Sequence, residues 1–132
     1  MQAERSEYAV FLFGEAEKGE FCTPFLLKTL PQLVETYGNP PPDSLGILYA
    51  VQALMYERDL IYFRVKEEGF SLPDYIRGLK ILEQASPSYH LTAICMPGMG
   101  DTEIIEASCN ICSLYKSFLI TTEKDLYDYL MH

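Results

Sequence analysis

Three short and nearly unbroken apolar runs constrain this chain more than any other feature: Tyr8–Phe13 (YAVFLF), Leu60–Val65 (LIYFRV) and Leu91–Met96 (LTAICM). None shows the polar–apolar alternation of a half-exposed strand, and a continuous apolar run bounded by turn residues is the pattern of a strand covered on both faces. Between the runs lie segments with helical spacing, and strands separated by helices imply right-handed crossovers in a largely parallel sheet. The expected fold is α/β: a three-layer sandwich with a mainly parallel central sheet of about four to five strands and helices on both faces.

The remaining elements follow from caps and breakers. Gly14 ends the first run, Glu15–Glu20 reads as a loop, and Pro24 opens an extended run over Phe25–Leu27. Thr29 caps a helix through Tyr37, with Pro31 in its first turn and Gly38 beyond its end. After the prolines of Gly38–Asp43, Ser44 is the expected N-cap of a mostly buried helix carrying Leu45, Leu48, Tyr49, Val51, Gln52 and Met55, ending near Glu57. Ser71 with Asp74 resembles a capping box for a helix reaching about Gln84. Asp101 caps a helix whose Ile104, Ile105, Ser108, Ile111, Cys112 and Tyr115 share one side. Phe118–Thr121 is a fourth core strand, and Lys124–Leu130 a short terminal helix.

Composition excludes several classes of partner. Nineteen acidic against ten basic residues give a net charge of −9, which repels nucleic-acid phosphates and anionic membrane surfaces. The apolar runs fall far short of the roughly 20 residues a membrane-spanning helix needs. Met1–Glu7 is polar with no apolar signal core, so the expected location is the cytoplasm. The 132 residues, 48% of them hydrophobic, suit one domain over 1–132, and Gly38–Asp43 is too short to separate two. The four cysteines read as reduced thiols.

Few constellations carry chemistry. Cys109-x-x-Cys112 has the spacing of redox and zinc sites, but both cysteines fall about two turns inside their helix, away from the N-terminal dipole that activates a thioredoxin-type thiol. They read as structural thiols, with a redox pair as the alternative. The loop Pro97–Asp101 joins a strand to a helix, where open α/β sheets bind ligands. It has neither a Walker loop nor a dinucleotide fingerprint, so Gly98, Gly100, Asp101 and Glu103 read as a turn with its N-cap, or else as a protein-contact loop or the loop used by a small ligand-binding or enzymatic α/β domain. Gly14-x4-Gly19 reads as a loop without phosphate binding. The acidic pairs Glu67/Glu68 and Asp125/Asp128 read as solvated charge, and His90 and His132 complete no catalytic set. Arg64 is a charge inside an apolar strand, which requires an edge position or a carboxylate partner; a structural ion pair and an intersubunit contact are the two readings. No cofactor, metal or catalytic residue is expected.

The order of these motifs resembles the core domain of contractile tail sheath proteins, found in phage tails and related contractile injection systems. The resemblance begins with FLFGEAEKGEFCTPFLLKTLPQLVETYG (Phe11–Gly38), continues through LGILYAVQALMYERDLIYFRV (Leu45–Val65) and the Asp74–Gln84 helix with its Gly78-Leu79 pair, and ends with LTAICMPGMGDTEIIEA (Leu91–Ala107) and SFLITTE. Sheath proteins are usually longer, with inserted outer domains and terminal extensions that complete their neighbours' sheets. The resemblance therefore implies a minimal subunit without terminal arms. It would act through protein contacts with itself or with sheath-like components, without cofactor or turnover.

Overall fold

The computed structural model describes residues 9–84 and 90–131; Tyr8, at the start of the first expected strand, and His132 lie outside them. The strands are β1 (Ala9–Gly14), β2 (Pro24–Leu27), β3 (Asp59–Arg64), β4 (Leu91–Cys95) and β5 (Phe118–Ile120). The helices are α1 (Leu30–Tyr37), α2 (Gly46–Met55), α3 (Leu72–Gln84), α4 (Thr102–Tyr115) and α5 (Glu123–Leu130). The strands form one sheet in the order β2-β3-β1-β4-β5. β1 pairs in parallel with β3 and β4, β4 in parallel with β5, and β2 runs antiparallel along the outer edge of β3. Pro24 opens that edge strand, a position where its missing N–H removes no bond from the sheet interior.

The apolar runs are central because both of their faces are covered. Along β1, Val10 and Leu12 turn to one face, where they join Leu33 and Tyr37 of α1, Ile47, Ala50 and Leu54 of α2, and Leu126 and Tyr129 of α5. Phe11 and Phe13 turn to the other, with Tyr75, Leu79 and Leu82 of α3 and Ile104 and Ile111 of α4. β3 divides the same way, Leu60 and Tyr62 against Ile61 and Phe63. These two cores on one sheet make the expected three-layer sandwich. On the α3 face the rings of Phe13 and Tyr75 stack at 4.9 Å between centroids, and Gly78 lets α3 lie directly on Phe13 and Phe63.

Most helix starts follow local sequence. Thr29 accepts the amide of Gln32 while Gln32 answers to the Thr29 amide, a complete capping box with Pro31 in the first turn. Asp101 accepts the Ile104 amide at 3.0 Å, as expected. Thr122 and Asp125 form a second capping box on α5. α2 departs from expectation: its N-cap is Leu45, no side chain of its own caps it, and it ends at Met55 rather than near Glu57. At α3, Ser71 bonds to Glu67 rather than capping the helix. The Asp74 carboxylate instead takes the Lys66 amide at 2.9 Å and the Cys22 thiol at 3.3 Å. No helix among the described residues is long and apolar enough to cross a membrane.

Candidate functional site

The connections leaving β1 and β4 set the place where a sheet of this kind opens to ligands. The chain passes from β1 to β3 by way of α2 on one face, then crosses to β4 on the other side of β1 by way of α3 on the opposite face. Neighbouring strands whose connections diverge leave a crevice beyond their carboxyl ends. Here it lies above Gly14 and Met96, beside the N-terminus of α2.

On its α2 side that crevice is occupied by the protein's own side chains. Glu68, in the loop after β3, places its carboxylate at the start of α2. Its Oε2 accepts the Leu45 amide at 2.7 Å, and its Oε1 accepts the Gly46 amide at 3.0 Å, the Ser44 hydroxyl at 3.0 Å and the Glu15 amide at 2.9 Å. The Glu68 amide donates back to Oε2 of Glu15 at 2.8 Å. Tyr62, rising from β3, donates its hydroxyl to the Glu15 carbonyl at 2.7 Å. Burial, with Glu68 close by, pushes that phenol well above its ordinary pKa, so it remains a donor. The α2 N-terminus thus holds an anion in the position helix dipoles favour, and the anion is intramolecular.

Two glycines make this closure fit. A β-carbon on Gly14 would come within 2.8 Å of the Gly46 Cα, and one on Gly46 would lie 2.8 Å from Glu68 Oε1. The Glu68 loop then reaches across the crevice. Gly69, at φ +85°, sits so close to Gly98 that a β-carbon would lie 2.8 Å from the Gly98 carbonyl oxygen, and its amide donates to the buried Tyr75 hydroxyl at 2.6 Å.

The residues singled out from sequence divide between this region and others. Gly98 and Gly100 are exposed in the loop after β4, with open space where a side chain would stand. The Asp101 carboxylate is committed to capping α4. Glu103 is directed elsewhere and lines a groove of about 310 Å³ between α3 and α4 with Ile76, Leu79, Lys80 and Glu83. The four therefore do not converge on one site.

The expected ion pair of Arg64 is corrected. Its guanidinium donates to the carbonyls of Gly19 and Ala16 and lies 3.9 Å from the centroid of the Phe21 ring. Among the described residues, the ion pairs lie elsewhere, at Lys28–Asp59 and Lys124–Asp128. Carbonyl dipoles and an aromatic face meet the charge because the loop after β1 folds back over the end of β3. The solvated reading of the acidic pairs also fails for Glu68, and for Asp125, which caps α5. Glu67 is exposed and Asp128 meets Lys124 at the surface.

The thiols are all free. Cys109 is exposed on α4, while Cys95 and Cys112 are buried, and burial raises the pKa of both. Cys22 is raised by burial first and then by its bond to Asp74. None of these three is pushed toward thiolate. No cluster of three or more His, Cys, Asp or Glu side chains able to hold a metal occurs among the described residues.

Sequence reasoning missed Glu68. The signal it left was indirect: α2 starts with no acidic residue in its first turn, so its amides needed an acceptor from elsewhere in the chain. No family model, no curated protein and no solved structure matches this chain significantly.

Proposed function

We propose that this chain is a structural or assembly subunit that works through its surface and carries out no catalytic step, as the sheath-core resemblance implies. The observation that supports this reading is the Glu68 carboxylate on the α2 amides: the position where a sheet of this topology receives an anionic ligand is taken by a side chain held with four hydrogen bonds. The partners are further copies of the chain or sheath-like components, met in the cytoplasm or in a tail-like particle assembled there. The net charge of −9 turns nucleic acid away.

A thermal-shift panel of nucleotides, dinucleotides and divalent cations tests the reading. A bound ligand at about 100 times its Kd adds roughly 2.7 kcal/mol of stability, well within detection. The expected result is a melting temperature that none of them raises. A concentration-dependent rise with any one would replace the assembly reading with that of a small-ligand-binding or enzymatic domain.

A further inference from the structure

We propose that the recess between α2 and α5 is a lysine pocket, which takes the ammonium group and apolar stem of a lysine side chain from a partner protein. The inference rests on the assembly reading and names the chemistry by which that surface would hold a partner.

The recess has a volume of about 320 Å³. Leu45, Leu48 and Val51 give it apolar walls, and its polar groups are the Tyr49 hydroxyl, the Gln52 carboxamide and the Glu123 carboxylate. Tyr49 is only 3% exposed, yet its hydroxyl makes no hydrogen bond among the described residues. Other buried tyrosines of the molecule do: Tyr37 donates to the Tyr62 carbonyl, Tyr62 to the Glu15 carbonyl, and Tyr75 accepts the Gly69 amide. A buried tyrosine hydroxyl ordinarily finds a partner, and the partner of this one must come from outside the chain, through the recess it lines.

Charge names the occupant. Among the described residues no Lys or Arg lines the recess. Glu123, in the first turn of α5, makes neither an ion pair nor a hydrogen bond through its carboxylate among those residues, and the Gln52 carboxamide is equally uncommitted. Burial first, and then Cys95 and the carboxylates of Glu123, Glu68 and Asp125, push the Tyr49 phenol up to about 12. The phenol therefore stays neutral, with an oxygen able to accept, and the carboxylates acting on it make the field there negative. An anion is repelled from such a place and a cation is drawn in. The Tyr49 oxygen, the Gln52 oxygen and the Glu123 carboxylate offer three acceptors, and an ammonium brings three donors on one centre. A lysine stem lies along apolar surface while its head reaches polar groups, which suits walls of Leu45, Leu48 and Val51. The net charge of −9 attracts a basic partner from a distance.

Nuclear magnetic resonance titration of the labelled full chain tests this with two probes: n-butylammonium, which is the lysine side chain alone, and Nα-acetyl-lysine methylamide. The titration is run at about 0.15 M NaCl, where a Debye length of about 8 Å screens attraction to distant surface carboxylates. Both probes are expected to shift the amides around Tyr49 and Glu123 saturably, in the millimolar range, and n-butanol and butyrate to bind severalfold more weakly. Tyr49→Phe and Glu123→Gln should each weaken both probes about threefold to tenfold. Because neither group has a partner within the chain, both variants should melt with the wild type. Shifts that never saturate, that n-butanol reproduces in full, or that both variants leave unchanged would overturn the pocket. Binding of n-butylammonium without the lysine derivative would overturn the partner lysine as its source and leave a site for free amines. None of these results turns on whether the chain associates: loss of the pocket would leave assembly to another face, and a monomeric chain would still bind both probes.

Discussion

Glu68 accepts hydrogen bonds from three backbone amides and a hydroxyl, contributed by the end of β1 and the start of α2. Removing its carboxylate would leave those donors without their acceptor in a partly buried crevice. Glu68→Ala should therefore lose about 2 to 3 kcal/mol by urea denaturation, with Glu68→Gln recovering part of the loss through its remaining carbonyl oxygen. A Glu68→Ala protein as stable as the wild type would mean that water replaces the carboxylate at no cost. Asp74 gives a prediction in pH. Burial alone would raise its carboxyl, but the hydrogen bonds from Lys66, Cys22 and Ser71 outweigh burial and hold it below the usual carboxylate value. With the folded value depressed, its contribution is complete above the unfolded value and lost as pH falls through the folded one. Asp74→Asn should accordingly lose more stability, relative to wild type, at about pH 7 than at about pH 3; an equal loss at both would contradict the assignment. Neither role was legible in the sequence. Glu68 lies 22 residues from Gly46, and Asp74, besides Ser71 at its own helix start, takes the Lys66 amide eight residues back. By contrast, Thr29 and Asp101 act within four residues, so their capping was readable.

At the scale of elements, the runs in β1, β3 and β4 were legible because a strand covered on both faces must be apolar at every position, while the 3.6-residue periodicity marked α4. The antiparallel run of β2 was not, since its four residues carry no signal of direction. The contact between α3 and the sheet supplies a sharp test. Alanine is preferred to glycine in a helix by about 1 kcal/mol, so Gly78→Ala would stabilise α3 in isolation. In place, its β-carbon would be driven into the Phe13 ring and to 3.1 Å from Phe63, inside a packed core. The variant should lose about 1 to 3 kcal/mol, read as a lower thermal midpoint. A higher midpoint would show that α3 can shift off the sheet. The same crowding explains why α2 begins with glycine: at Gly46 a side chain would meet both Gly14 and the Glu68 carboxylate.

For the whole molecule, the sheet order places the crevice at the ends of β1 and β4, and the loop from Lys66 to Ser71 covers it. What the molecule presents outward is an acidic surface broken by apolar side chains, among them Val34, Leu48, Met55, Leu114 and Phe118. The fold class could be read from the order of runs and helices, because burial on two faces writes itself into composition. The closure of the crevice could not, because it depends on which loops meet across the sheet. The central claim is that the chain associates through this surface. Light scattering on the eluting full chain, taken across concentration from micromolar to hundreds of micromolar, tests it most directly. The account predicts a mass above that of one 15.1 kDa chain, rising with concentration. A single 15.1 kDa species at every concentration would contradict it.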